Sequence, residues 1–401
     1  MTEIPNLPTV TPEDVGISST RLERLNTHMQ SYVDQNKLAG TITVICRKSK
    51  LAHLTCTGTM DLETPMQYDT LFRIYSMTKP ITTVAALMLY EEGHFQLNDP
   101  ISKFIPEFEN TKVFTLPNAK PADPDRPITI RDLMTHTSGL TYGPWLYENS
   151  PVDDMYGQLD PLRKDRPLKD MIPELAQLPL VTHPGIAWRY SVSTDVLGYL
   201  VEVISGTPLR TFFKERIFDP LGMTDTDFYA PENKHHRFAT NYGLSKNGIQ
   251  VIDDPTTGEF SQPPQFHSGG GGLISTASDY LQFTHLLLNN GAWQDTQLLS
   301  KKTVEIMTTN HLLPHHLPLQ LGASQISGHG FGLGVAVLTD VAQSENLGSV
   351  GEYRWGGAAT TAFWIDPKEE LIGLLLTQFM PASHYPIRSE FKTLVSQAII
   401  S

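Results

Sequence analysis

The chain has 401 residues, 40% of them apolar and 18% charged, with a net charge of −13. That length suits two or three domains with a real hydrophobic core, needing no metal or disulfide staple. A surface this acidic repels phosphate backbones and anionic membranes, so neither nucleic acid nor a membrane is an expected partner.

The opening Met1-Thr-Glu-Ile-Pro-Asn-Leu-Pro8 has neither the basic nor the apolar stretch of a secretory leader, and no run of about 18 apolar residues follows, so a cytoplasmic location is expected. Residues 18–36 carry apolar positions at helical spacing behind a Ser/Thr cap, which predicts an amphipathic helix. Gly40–Cys46 and Leu51–Thr57 are rich in β-branched residues and predict neighbouring strands. The only two cysteines, Cys46 and Cys56, lie there. A bridge would need a favourable register, and two buried thiols are the simpler expectation. Pro80–Glu91 is apolar on nearly every face and predicts a buried helix, stopped at Gly93. From about 95 to 300 the chain is rich in Pro and Gly, with helical patterns at Arg131–Thr135, Val192–Ser205 and Ala277–Leu288. Strand signals return at Phe331–Leu338, Trp355–Asp366 and Leu371–Phe379, the last two joined by a turn at Pro367–Glu370. Strands at both ends with helices between predict an α/β fold: a sheet domain from residues 1–90 and 300–401, and an inserted, mainly helical domain with long loops at 91–299.

Several chemistries have no motif to carry them. There is no G-x-S-x-G elbow, no H-E-x-x-H and no G-x-G-x-x-G after a strand. His235-His236 and His311, His315 and His316 sit in polar or Pro-rich stretches, so no metal site is expected. The run Gly269–Gly272 is a turn, because no Lys-Ser/Thr follows it. What remains is Ser76-Met-Thr-Lys79, an S-x-x-K whose spacing places both side chains on one helical face. A serine hydroxyl needs a base to become a nucleophile, and an amine buried by the apolar helix behind it can lose its charge and serve. Ser76 at the helix start also sets its amide among unpaired N–H groups, where an oxyanion is stabilised. A second match, Ser389-Glu-Phe-Lys392, falls in a charged amphipathic segment and carries no such context.

Leu71-Phe-Arg-Ile-Tyr-Ser-Met-Thr-Lys-Pro80 resembles the active-site segment of the serine β-lactamase and penicillin-binding protein superfamily. Glu91–Pro100, Ile130–Leu140, Gly270–Tyr280 and Phe331–Gly334 match the same superfamily in order, so the resemblance spans about residues 15 to 381. The branch it resembles is the class C β-lactamase-like esterases, family VIII carboxylesterases. The resemblance implies an antiparallel sheet flanked by helices, with the site at the junction of the two domains and no cofactor.

Residue by residue, it implies Ser76 as nucleophile and Lys79 and Tyr190 as general acid and base. Tyr190 follows Pro184-Gly185 at the family's spacing, whereas the literal Tyr147-Glu-Asn149 lies in an irregular loop. Val192 stands where class C β-lactamases have an Asn that holds the lactam side chain, and valine cannot donate a hydrogen bond. The Lys-Thr-Gly strand has become Trp355-Gly356-Gly357, so an indole replaces the cation that attracts a lactam carboxylate; Lys246-Asn-Gly248 and His267-Ser-Gly269 are matches outside any strand. Trp355, Gly356, Gly357 and Val192 are thereby expected to meet substrate, the backbone N–H groups of Ser76 and Ala358 to form the oxyanion hole, and Arg354 to make a solvent-facing salt bridge. The implied reaction is cleavage of a small ester through an acyl-enzyme. The alternatives are an acyltransferase of the lovastatin-synthase-associated type, a β-lactamase or D-Ala-D-Ala peptidase, and a non-catalytic scaffold on the same fold. Oligomeric state is not readable from the sequence.

Overall fold

The computed structural model describes residues 7–115, 120–147, 150–246 and 248–401. Glu148, Asn149 and Asn247 of the rejected motif matches, and the start of the chain through residue 6, lie outside them. A seven-stranded antiparallel sheet organises the molecule. Its strands are β1 (Gly40–Arg47), β2 (Lys50–Gly58), β3 (His329–Phe331), β4 (Ala336–Leu338), β5 (Tyr353–Gly356), β6 (Ala362–Asp366) and β7 (Leu371–Leu376), in spatial order β3-β4-β5-β6-β7-β1-β2. β1 is buried along its whole length, which suits its β-branched sequence, and β7 is buried likewise. They pair in the register Ile42↔Leu376, Val44↔Leu374, Cys46↔Ile372.

Helices cover both faces. On one, α1 (Ser19–Asp34) and the last helix (Ile387–Ser396) seal a core of Leu22, Leu25, Ile45, Trp364, Leu375 and Phe391. Ser18 caps α1, its hydroxyl accepting from the Arg21 N–H at 3.3 Å. The larger core lies on the other face and takes in α2 (Thr78–Glu91), buried as far as Leu89, and α3 (Ala277–Leu288). α3 belongs by residue number to the insert at 91–299, yet it packs on β6 and β7. Among the described residues no helix is long and apolar enough to cross a membrane.

Three predicted strands are interrupted. Phe331–Leu338 is the end of β3, a turn over residues 332–335 with Gly334 at φ +78°, and β4. Trp355–Asp366 is likewise the end of β5, a turn over residues 357–361 with Thr360 at φ +70°, and β6. Leu371–Phe379 leaves the sheet after Leu376, and Phe379 pairs with Tyr242 instead. The cysteines do not face each other: Cys46 opposes Leu51 and Cys56 opposes Ile42. Both are free, and Cys56 is exposed rather than buried. Lys392 is buried in an ion pair with Glu352 rather than solvated on a charged helix face. Among the described residues Arg354 makes no salt bridge; half-buried, it donates from Nε to His329 Nε2 at 3.0 Å. Burial, and then the Arg354 charge, hold that imidazole down at about 3, so it accepts as the neutral ring.

Candidate active site

Ser76 lies in a single 3₁₀ turn, Tyr75–Met77, that leads directly into α2. The approach to it is fixed by antiparallel pairing of Phe72–Arg73 with Ile274–Ser275 and by the Ile74 N–H on the Leu273 carbonyl at 3.0 Å. Tyr75 has φ +42°, a left-handed conformation for an aromatic residue, which costs about 1–3 kcal/mol and persists only where the surroundings hold it. The holding groups are Asn241, whose Nδ2 donates to the Tyr75 phenol at 3.3 Å, and Phe260, edge-on at 5.6 Å.

One turn on, Lys79 has no exposed surface. Its Nζ lies 3.2 Å from Ser76 Oγ, 2.9 Å from the Tyr142 hydroxyl and 2.6 Å from the Gly270 carbonyl. Burial pushes its pKa down to about 7, with the Asp195 charge opposing. Asp195 is itself fully buried near the start of a helix, Ser193–Ser205, and accepts from Ser268 Oγ at 2.5 Å and the Gly270 N–H at 3.0 Å. The Gly270 peptide therefore donates to Asp195 and accepts from Lys79. A Cβ there would lie 2.5 Å from Asp195 Oδ2, so only glycine fits.

Tyr190 is buried beside the lysine, its ring centre 4.5 Å from Lys79 Nζ. Burial raises its pKa, with hydrogen bonds from Ser76 and Trp355 opposing, so it stands as a neutral phenol. Trp355 does not line the cavity as expected. It is 7% exposed, wedged between Tyr190 and Phe331, and its Nε1–H donates to the Tyr190 oxygen at 3.2 Å. Its place is behind the tyrosine, orienting the phenol. Trp355→Phe keeps an aromatic ring and removes that donor. It should lower kcat about fivefold, the value of one net hydrogen bond of about 1 kcal/mol, and lower the melting temperature by a few degrees for the indole volume lost. An unchanged kcat in steady-state assays would show that the indole only fills space.

Ser76 and Ala358 open into one cavity of about 330 Å³, together with Tyr142, Ser268, Gly270 and Gly271. Gly357 brings this about. A Cβ on it would lie 2.3 Å from the Ile74 carbonyl oxygen, so the end of β5 reaches the Ser76 segment only as glycine. Gly356 and Gly357 are not in the cavity wall, and Val192, fully buried in the core, is not either. Ser389 and Lys392 are also absent from it.

Nothing local in the sequence marks Tyr142 or Asp195 as site residues; Ser268 and Gly270 flank or fall in the glycine run at 269–272, where consecutive glycines mark close backbone approach as readily as a turn. The rejected Tyr147 is near, but its hydroxyl accepts the Tyr190 backbone N–H at 3.1 Å and its ring carries Arg189 at 3.8 Å, which is scaffolding. Chemically, the arrangement offers a hydroxyl at the cavity, a buried amine in contact with it and a neutral phenol beside that amine.

The Beta-lactamase family profile matches residues 25–395. Protein Rv1367c of Mycobacterium tuberculosis (strain ATCC 25618 / H37Rv) is 40% identical over 364 residues, 88% of this chain and 89% of its own. Esterase EstB of Burkholderia gladioli is 31% identical over 375 residues, again 88% and 89% of the two chains. Among solved structures, EstCE1, described as a hydrolase with promiscuous acyltransferase activity, superposes with a TM-score of 0.82 at 26% identity, over 94% of this chain and 98% of its own.

Proposed function

We propose, because the chain belongs to the beta-lactamase family and has family VIII esterases among its relatives, that it hydrolyses short-chain carboxylic esters through an acyl-enzyme on Ser76. The relatives support an ester hydrolase; the acyl length and the residue roles are our reading. The observation that carries it is the fully buried Lys79 amine 3.2 Å from the Ser76 hydroxyl. Neutral Lys79 takes the hydroxyl proton as Oγ attacks the ester carbonyl. The oxyanion is received by the Ser76 and Ala358 N–H groups. Tyr190 gives its proton to the departing alkoxide and is reprotonated by the Lys79 ammonium. Water then enters and the same groups run in reverse. An alcohol entering in place of water would make the enzyme an acyltransferase. The description of EstCE1 favours keeping that second reading for the same acyl-enzyme.

β-Lactams fit the site poorly. Lys164, the one cation among the described residues of the cavity wall, is paired with Glu259 at 2.8 Å. Arg388, beside Gly357, donates to the carbonyls of Gly357 and Thr361. A lactam carboxylate left unpaired costs about 1–3 kcal/mol, and a lost side-chain contact a similar amount. Kinetics with p-nitrophenyl butyrate beside nitrocefin, with intact-mass detection of the acyl-enzyme, tests this. The ester should be favoured by about 10²–10⁴-fold in kcat/KM. Equal efficiency on nitrocefin, or no ester turnover, would overturn the assignment.

A further inference from the structure

The cavity in front of Ser76 is lined by small residues and by rings: Tyr75, Tyr142, Trp145, Tyr156, Phe260 and Phe266. Trp145 is 63% exposed at the mouth, with its ring 5.5 Å from that of Tyr142. An exposed indole over a cavity is apolar surface left uncovered for a ligand. At about 330 Å³ the space is at the low end of the roughly 300–1,000 Å³ of small-molecule pockets, room for a ring rather than for a long chain or a polycyclic body.

The charges in the same wall are acidic in balance. Lys164 is neutralised by Glu259 and lies over the Phe260 ring at 4.2 Å. Asp160 is exposed at the cavity, and no cationic side chain among the described residues pairs with it. Ring faces and an unpaired carboxylate both attract positive charge and repel a carboxylate.

Resting on the ester-hydrolase reading, we infer that the preferred substrate carries a single flat aromatic ring on its non-reacting arm, and that the ring is neutral or cationic, never anionic. The rings stack on that arm while Ser76 attacks the ester carbonyl, and Asp160 selects its charge.

The test uses acetate esters of alcohols with similar leaving-group reactivity: benzyl acetate, 4-(trimethylammonio)benzyl acetate, 4-carboxybenzyl acetate and butyl acetate. Benzyl acetate should exceed butyl acetate about tenfold in kcat/KM, the scale of two aromatic contacts. The cationic ester should at least match benzyl acetate, and the carboxylate should fall about tenfold or more below it. Trp145→Leu should pull the benzyl-to-butyl ratio toward one. Asp160→Asn, which keeps a residue tolerant of the φ +46° at that position, should narrow the gap between cation and anion. Butyl acetate equal to or better than benzyl acetate, or a carboxylate as good as the cation, overturns the inference while leaving the ester reading intact. If no acetate is cleaved, the ester reading fails, and calorimetry with the two product alcohols decides the cavity's preference by itself. Tighter binding of the trimethylammonio alcohol supports the recognition chemistry; equal, reversed or absent binding overturns it.

Discussion

Ser76→Ala is expected to lower ester hydrolysis by about 10⁴-fold or more with the fold intact. Without the hydroxyl no acyl-enzyme can form, and losing a nucleophile from a set that acts as a unit removes nearly all of the set's contribution. The side chain is only half-buried and holds no backbone element in place, so the substitution leaves no large cavity. The melting temperature should stay within a few degrees, and intact-mass spectra should lose the acyl adduct. Retention of a tenth of wild-type activity in protein free of contaminating esterase would sink the nucleophile. Ser389→Ala, the other S-x-x-K serine, lies outside the cavity and should leave the rate unchanged.

The reason Ser76 is legible from sequence and its partners are not is a matter of chain distance. Ser76 and Lys79 are three residues apart, so helix geometry alone brings them together, and an apolar run beside them announces the burial. Tyr142 is 63 positions from Lys79 and Gly270 is 191 positions away, and neither sits in a local pattern that requires it. Trp355 illustrates a subtler limit. Its place in the third motif is visible, but whether an indole faces the substrate or the tyrosine behind it depends on how β5 packs against Phe331, which no single strand encodes. The interrupted strands have a related cause. Gly332-Leu-Gly-Val335 and Gly356–Thr361 mix apolar residues with glycines, and hairpin turns built from buried residues read as continuous strand. Helices α1 and α2 show no such ambiguity, since α1 follows one period behind a cap and α2 is apolar on nearly every face up to Gly93.

Lys79→Ala and Tyr190→Phe should each lower kcat by about 10²-fold or more, the range for a positioned acid or base. The double variant should fall far short of the product, because both serve one proton path. Losses that multiply fully would show that one of the pair is only structural. The pH profile separates the roles. Burial holds Lys79 at about 7, and the base is its neutral form. Wild-type kcat/KM should therefore rise with pH, about tenfold per unit below 7, and level off above it. Asp195→Asn removes the carboxylate whose charge favours the ammonium, so the acid limb should move to lower pH. That shift is absent if Asp195 serves only to hold the Ser268–Gly270 loop. A flat profile from pH 5 to 9 would remove Lys79 as the base.

The pairing of β1 with β7 has a consequence for biogenesis. The Thr377 hydroxyl closes on the Gly40 carbonyl at 2.7 Å across 337 positions of sequence. During synthesis β1, a wholly buried strand inside the sheet, is made long before β7, one of its two partners. Until then one edge of β1 is unpaired, and strand pairing at such separations is slow and exposed to misassociation. A chain cut before β7 leaves β1 and β6 without the strand that pairs with both. Yield of active enzyme in a host should therefore depend more on protection of the nascent chain than on the stability of the finished molecule.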